Sequence, residues 1–521
     1  MTTEIKVKAK ELGELGLEQA QEFFVDPARP ETAEKLASSS QELIRIMAQI
    51  YASGGVINKM TPDVRAWLES EDPDKIVGNF QAVMKELMRR EAGTRRFDEK
   101  FMGQIHSQGS IPGILGMLVG AYMNQNTVVK EVSISENSME QEVLEWFAEI
   151  FGYNKNEFSG NVVTGGTSAN LASLWIAREK KIKELRQAGI WDSERSKKRF
   201  KFYIVGSDMG HYSIDKTCYL LGTGDVIFIK VPHEGFKTSA QGMREAINHL
   251  DLKNGAVTAI IGLAGETETG MVDDLDALAN VARDYKAHYH VDAAYGGPFI
   301  LSKAGHLFSG IQRADTITVD PHKLLYTPYQ AGIYLVRRKE DQALIDRAMR
   351  DNAGYLSSEE VRQKMDSSTS DRNFGFSRVE GSMGAGGVIA TWATIRLLDK
   401  EGIAVLLNHT LELTKVASEK VKGSEWLTPL HNPETNTLLV GFKAPGGLSI
   451  GQHKRVMDRA RTRLEKEHGY YISTDDRQIF PDGRPQAYRF VFMHPYTNSA
   501  HVEEMIRLLD QKIKEEIKIY S

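Results

Sequence analysis

Lys323, Asp292 and His211 are the side chains through which this sequence could do chemistry. Lys323 belongs to the stretch Thr316-Ile-Thr-Val-Asp-Pro-His-Lys-Leu-Leu-Tyr326. Its first four residues read as a short buried strand, and Pro321, which offers no backbone donor, ends it. A lysine just past a strand end, beside His322, suits a Schiff base better than a solvated charge. Its amine must lose a proton to attack an aldehyde, and desolvation favours that neutral form. Asp292 ends the strand pattern His-Val-Asp and precedes Ala-Ala-Tyr-Gly-Gly. A carboxylate in such apolar surroundings is costly unless it meets a cation. A protonated pyridine nitrogen would supply one through a charge-assisted hydrogen bond. His211, in Met-Gly-His-Tyr-Ser, follows a strand pattern ending at Val205 and could lie flat against an aromatic ring. Plainer readings exist for each: a surface lysine after a turn, a capping or ion-paired aspartate, a hydrogen-bonded loop histidine. Their joint occurrence at successive strand ends, where open α/β sheets place working residues, outweighs those readings taken together.

The stretch Asn161-Val-Val-Thr-Gly-Gly-Thr-Ser-Ala-Asn170 adds an anion site. It leads into a helix carrying Leu171, Leu174, Trp175, Ile182 and Leu185 on one side. Glycines and hydroxyls at a helix N-terminus offer unspent N–H groups and the favourable end of the helix dipole. The pattern is neither a P-loop nor a GxGxxG fingerprint, so it does not imply a nucleotide. Simple capping by Ser or Thr is the alternative. Residues 101–126, FMGQIHSQGSIPGILGMLVGAYMNQN, are rich in Gly, Met and amide side chains. They read equally as a helix-packing segment or as a pocket wall with Gln104, His106 and Asn124 as polar contacts.

The elements that must position these groups follow from periodicity. Strand patterns at 201–205, 225–231, 256–264, 288–295, 316–319 and 331–337 alternate with helix-like segments such as 239–252 and 274–286. Near-continuous apolar strands with intervening helices predict a mostly parallel sheet covered on both faces, an α/β fold. Residues 1 to about 100 read as helical, with an apolar stripe at Leu36, Leu43, Ile46, Met47 and Ile50. After a small-residue helix from Gly384 to Leu398, residues 400–521 mix amphipathic helices with strands at 436–442 and 487–493. The expected organisation is therefore a helical arm over 1–100, a large domain over 101–399 and a small α+β domain over 400–521. At 521 residues the chain can bury a large core. A net charge of −5 argues against a general nucleic-acid binder. The charge run from Arg178 to Lys201 interleaves Glu and Asp and reads as a solvated helix face and loop. The lone Cys218 excludes an intrachain disulfide and reads as a buried structural thiol, as in a reducing compartment. No apolar run is long enough for a signal core or a membrane span, so a cytoplasmic, membrane-free protein is expected.

The ordered set GGTSAN, GHYS, HVDAAYGG and DPHK resembles the group II pyridoxal-phosphate amino-acid decarboxylases of fold type I, over most of the chain from Phe101 onward. The resemblance implies pyridoxal 5'-phosphate as cofactor, held as a Schiff base by Lys323, with Asp292 on the pyridine nitrogen and His211 stacked on the ring. It places Ala294 beneath the ring and Gly166, Thr167 and Ser168 at the phosphate, with Thr267 and His322 nearby. The segment Glu-Gly-Ser382-Met-Gly384 matches the loop through which one subunit reaches the phosphate of the other, implying a homodimer.

This chain departs from that family in two places. The family's mobile loop commonly carries a proton-donating tyrosine, whereas 357–377 holds Phe374 and Phe376 and no tyrosine. His211 or Tyr355 would then donate the proton, or the product is an aldehyde. Many relatives have an arginine where this chain has Met383. The wording GHYSIDKTCYLLGTG, ETETGMVDDLDALA and GIQRADTITVDPHK is most similar to the bacterial branch acting on aspartate or glutamate, with tyrosine decarboxylases next. A degenerate fold used only for binding is the non-enzyme alternative.

Overall fold

A computed structural model of the chain describes residues 97–128, 133–191, 200–222, 224–350, 378–446, 448–476 and 486–520, the side chains of 346–350 excepted. It also describes a helix at Phe80–Ala92 and scattered positions around and before it. The apolar stripe of the N-terminal arm, Tyr355, Phe374 and Phe376 lie outside the described residues. The chain divides into two compact units, Met1–Phe97 and Asp98–Ser521. All that follows concerns the second.

Helices α1 (Ile111–Met123) and α2 (Ile134–Ile150) precede a seven-stranded sheet. Its strands are β1 (Ser159–Val163), β2 (Lys201–Ser207), β3 (Val226–Val231), β4 (Gly255–Leu263), β5 (His288–Asp292), β6 (Thr316–Val319) and β7 (Gly332–Val336). Their spatial order is β1-β7-β6-β5-β4-β2-β3. All neighbouring pairs from β6 to β3 are parallel, and β7 runs antiparallel to both β6 and β1. Every residue of β1, β5, β6 and β7 is buried, which explains why these strands are apolar in runs rather than in alternation. The intervening helices are α3 (Gly166–Gln187), α4 (Ser213–Leu221), α5 (Ala240–Asn248) and α6 (Leu275–Asp284), and α7 (Lys339–Arg350) follows the sheet. α3 packs across β4, β6 and β7. Cys218 sits buried on α4, and burial pushes its thiol up to about 12, as a structural role requires.

The long helix α8 (Gly386–Lys422) is kinked at Asp399, where φ is 48°, and leads into a second, antiparallel sheet. That sheet contains β8 (Leu427–Pro429), β9 (Thr437–Phe442), β10 (Ser473–Asp475) and β11 (Ala487–Val491) in the order β8-β9-β11-β10. Helices α9 (Ile450–His468) and α10 (Ser499–Ile517) complete its hydrophobic core, with Val456, Leu464, Leu438, Phe490 and Leu509 among the buried residues. Among the described residues, no helix is long and apolar enough to cross a membrane.

The Gly-rich segment resolves largely toward helix packing. Ser110 caps α1, accepting from the Gly113 N–H, and its hydroxyl meets Thr394 on α8 at 2.9 Å. Gly116 and Gly120 face α8 so closely that a β-carbon would stand 2.7 Å from the Ala390 Cα and 2.4 Å from the Gly386 Cα. The opposite side of α1 exposes Ile111, Leu115, Leu118, Val119 and Tyr122, Ile111 at 75%.

Arg378 fixes the segment that reaches Ser382. Its guanidinium is buried against the Glu140 carboxylate, and it donates to the Thr127 hydroxyl at 2.7 Å and the Val162 carbonyl at 2.9 Å. The Ser382 hydroxyl then lies 3.0 Å from the Asn126 amide.

Candidate active site

Parallel strands end on one edge, and the loops leaving that edge bring the singled-out side chains together. A cavity of about 360 Å3 is lined by Gly166, Thr167, Ser168, His211, Thr267, Asp292, Ala294, His322 and Lys323, all named from the sequence. Thr164, Asn170, Glu266, Asp320, Tyr329 and Gln330 line it too.

Lys323 reaches the cavity from the turn after β6. Its Nζ lies 2.9 Å from Oδ2 of Asp320, a carboxylate only 1% exposed. This corrects the expectation of a neutral amine. Burial does push the Lys323 amine downward as expected, but the adjacent Asp320 charge outweighs it, and the net shift is upward. The same competition, burial raising and Lys323 lowering, leaves the Asp320 carboxyl below its ordinary range. His322 accepts from the Ala331 N–H at Nδ1 (3.0 Å), so its proton sits on Nε2, 3.5 Å from Asp320. Tyr329 stacks on His322 with centroids 4.0 Å apart.

Asp292, 8% exposed, is held by neutral donors alone: the Asn170 amide at 2.9 Å on Oδ2 and the Ala294 N–H at 3.1 Å on Oδ1. Among the described residues it makes no ion pair. Asn170 is the junction that sequence reading passed over. Its amide nitrogen also lies 3.0 Å from Ser213 Oγ, which in turn sits 2.9 Å from His211 Nδ1. His211 also accepts there from the Ser213 N–H, and burial lowers its pKa, so the imidazole is neutral. On the other side, His290 Nε2 meets the Asn170 carbonyl oxygen at 3.0 Å, and His290 Nδ1 meets Thr316 Oγ1 at 3.0 Å. One polarity satisfies the whole chain: Thr316 donates to His290, His290 to Asn170, and Asn170 to Asp292. Burial depresses His290 to about 4, consistent with that neutral tautomer.

The phosphate end is formed by α3. Gly165 occupies its N-cap without any side-chain cap bond, leaving the first N–H groups unspent, with the Thr167 and Ser168 hydroxyls beside them. Glu380 accepts from the Thr164 N–H at 3.0 Å and so anchors the strand end that feeds this turn.

The pocket-wall residues divide. His106 stands edge-on to Tyr329 at 5.9 Å, and burial first, with the Lys323 charge behind it, lowers its pKa, so it lies near this site without lining the cavity. The Gln104 amide reaches the Tyr471 hydroxyl at 3.4 Å instead. Asn124 is not brought to this cavity. It is the exposed C-cap of α1 in the left-handed region (φ 49°), a conformation that short amide side chains tolerate. Ser382 lies beside Asn126 rather than in its own subunit's cavity.

Comparison with known proteins agrees with this geometry. Residues 58–444 match the pyridoxal-dependent decarboxylase conserved domain. Aspartate 1-decarboxylase of Aliivibrio fischeri is 28% identical over 386 residues, covering 70% of this chain and 67% of that protein. L-2,4-diaminobutyrate decarboxylase of Rhizobium meliloti is 25% identical, covering 69% and 68%. The crystal structure of Oryza sativa TDC with PLP and tryptamine superposes with a TM-score of 0.77 over 94% of this chain and 99% of that one. At 19% identity, that likeness speaks to the fold. The chain belongs to the pyridoxal-dependent decarboxylase family and is accordingly a pyridoxal-phosphate-dependent amino-acid carboxy-lyase.

The cavity fits that cofactor. A buried carboxylate without a cation, an amine at hydrogen-bonding reach of a second carboxylate, and an uncapped helix N-terminus are what a pyridine nitrogen, an aldehyde and a phosphate each need. Asp320 Oδ1, buried and without a hydrogen-bond partner among the described residues, marks polar space there.

The Asp320–Lys323 pair predicts a pH signature for the cofactor-free protein. Asp320 titrates below 3.8 and Lys323 above 10.5. Their contribution to stability is therefore complete between those values. It is lost as pH falls through the Asp320 value or rises through the Lys323 value. Asp320→Asn is expected to cost about 3–5 kcal/mol in urea unfolding near neutral pH. The difference from wild type should be full near neutral pH, shrink below about pH 3.5 as Asp320 protonates, and shrink again at alkaline pH as the unpaired Lys323 of the variant loses its proton. A deficit that grows on acidification would contradict the pairing.

Proposed function

We propose that the enzyme removes the α-carboxylate of a small acidic L-amino acid, aspartate or glutamate. The observation that carries the substrate class is where the aromatic side chains went. A slot for an aromatic substrate would be built from Phe101, Ile105 and Tyr122. Phe101 is instead stacked on Tyr471 at 4.9 Å, Tyr122 faces outward from α1, and none of the three lines the cavity. The walls there carry His211, His322, Tyr329 and Gln330. Arg489, on β11, has a buried Nε without a hydrogen-bond partner and acts electrostatically on the cavity residue Tyr295, which makes it a candidate cation for a substrate carboxylate. The curated relatives named for aspartate and diaminobutyrate also support small polar side chains.

In this reading Lys323 holds the cofactor covalently, Asp292 holds its ring nitrogen, and α3 with Thr167 and Ser168 holds its phosphate. Bound pyridoxal phosphate supplies the sink for the electron pair left when CO2 departs. Asp292 would hold a proton on the ring nitrogen, and the Asn170 amide, 2.9 Å away, keeps its carboxylate aimed. Neutral His211 covers the cavity as a flat, uncharged wall, held there by Ser213. Asp320 receives the charge of Lys323 whenever that amine is free and protonated.

We further propose a homodimer. The outward apolar side of α1 suits a second copy of this chain, and the anchored Ser382–Gly384 loop suits a neighbour's phosphate site. Full activity of a dilute monomer in sedimentation would contradict it.

The substrate test is to incubate holoenzyme with each of the twenty amino acids and measure CO2, amine, aldehyde and peroxide together. CO2 and amine from aspartate or glutamate alone are expected. CO2 and amine from tyrosine would move the assignment to the aromatic class. Aldehyde with peroxide would show oxidative deamination, the outcome that a loop without tyrosine leaves open.

A further inference from the structure

The opposite edge of the main sheet carries a second cavity, of about 390 Å3, which the decarboxylation reading does not use. It opens where β4 and β5 begin and β7 ends, between α3 and α6. Three lysines, Lys180, Lys181 and Lys286, and four arginines, Arg283, Arg313, Arg337 and Arg338, line it. The charge run from Arg178 was expected to be a solvated face. Two of its lysines, Lys180 and Lys181, turn inward instead, and Lys181 is only 7% exposed.

The charges there do not balance. Asp315 draws Arg337 to 2.7 Å, Lys180 to 3.7 Å and Arg338 to 3.8 Å. Asp341 takes Lys180 at 2.9 Å, Glu184 takes Lys181 at 2.8 Å, and Asp276 takes Arg313 at 2.9 Å. Asp284 takes Arg283 at 3.0 Å but also serves Arg244 at 2.7 Å. With Arg244 included, eight cations thus meet these five carboxylates, which leaves an excess of positive charge around the cavity.

Among the described residues, two buried polar atoms at this cavity find no hydrogen-bond partner: Nε of Arg337, a donor, and Nδ1 of His288. His288 is 3% exposed, and its Nε2 lies 2.8 Å from Thr316 Oγ1. Thr316 spends its own proton on His290, so His288 must donate from Nε2 and present Nδ1 as an acceptor. The Asp315 carboxylate, 4.0 Å from Nδ1, has no proton to give it. The floor of a cationic cavity therefore asks for an O–H.

We propose that this cavity binds a small phosphate dianion that retains a hydroxyl: hydrogen phosphate itself or a hydroxylated phosphate monoester. Its negative charges meet the cationic excess, Arg337 Nε donates to a phosphate oxygen, and the ligand hydroxyl donates to His288 Nδ1. Sulfate has the same charge but no proton at neutral pH, so it satisfies the walls and not the floor.

The test uses holoenzyme saturated with pyridoxal phosphate, so that the phosphate site at α3 is filled. Calorimetric titrations with inorganic phosphate, sulfate and glycerol 3-phosphate are run at matched ionic strength. The expected result is saturable, one-per-chain binding of phosphate or glycerol phosphate at least about 10-fold tighter than sulfate, the order set by one buried acceptor left unmet. The double variant Arg283→Glu, Lys286→Glu touches no residue of the decarboxylation site. It should weaken phosphate at least about 10-fold while leaving basal turnover and the visible cofactor spectrum unchanged. Circular dichroism of the variant checks that it folds. Equal affinity for phosphate and sulfate, no saturable binding, or binding indifferent to the double variant would each overturn the proposal. Tighter binding of glycerol phosphate than of phosphate would identify the ester as the source, and the reverse order the free ion, both within the proposed class.

Discussion

Lys323→Ala is expected to lower CO2 release by ~10^4-fold or more, the scale on which removing a covalent catalytic group acts. The physical reason is twofold. The variant loses the only amine among the described residues that lines the cavity. It also strands Asp320, 1% exposed, without the amine that sits 2.9 Å from it. Borohydride treatment of wild-type holoenzyme should attach the cofactor's mass to the peptide bearing Lys323, and the variant should carry no such adduct. Circular dichroism separates this loss from misfolding. Substantial turnover in Lys323→Ala, or an adduct on another lysine, would remove Lys323 from the role assigned to it.

Asp292→Asn is expected to cost about 3–5 kcal/mol of the interaction that a buried ionic partner supplies, roughly 10^2- to 10^4-fold in kcat. The substitution nearly preserves shape, so the cavity should still admit the cofactor. Two consequences follow from the local bonding. The asparagine cannot hold a proton on a ring nitrogen by charge, and its amide faces the Asn170 amide across a 2.9 Å contact now made by donor and acceptor. Either the new NH2 faces the Ala294 N–H, donor against donor, or it faces Asn170, which must then turn and break its 3.0 Å bond with His290. Measuring kcat at saturating pyridoxal phosphate, with cofactor affinity by fluorescence titration, separates the two effects. Asp292→Glu should recover part of kcat, because the charge returns even though its position shifts. An Asn variant with wild-type kcat would show that no cation sits on Asp292 during turnover.

The residues with chemistry were legible because their positions follow from local rules. A Pro after a strand, a Gly-Gly-Thr-Ser turn before a helix and an aspartate ending an apolar strand each announce a strand end. In a parallel sheet all such ends lie on one edge. That is why Lys323, Asp292, His211, Thr167 and Ser168 could be named together and are found in one cavity. Cys218 was legible for a related reason, a small thiol inside an apolar helix face.

What the tertiary structure decided are orientations and contacts for which sequence spacing carries no signal. The charge state of Lys323 depended on which way Asp320, three residues earlier, pointed its carboxylate, and burial alone predicted the opposite sign. Asn170 reads as an ordinary early-helix residue. It becomes a junction only because α3 crosses β5, bringing it to Asp292 across 122 positions of sequence. The glycines of α1 could have served a pocket wall equally well. Packing settled the matter, since only glycine lets the α1 backbone meet Gly386 and Ala390. Lys180 and Lys181 looked solvated because helical periodicity reports the polarity of a face and not what lies opposite it. Opposite them lie Asp315 and Asp341, brought there by β6 and α7. Local sequence thus determined the strand ends and the chemistry set out along them, while long-range contact fixed the protonation, aim and company of each group, because electrostatic energy depends on distance in space and not along the chain.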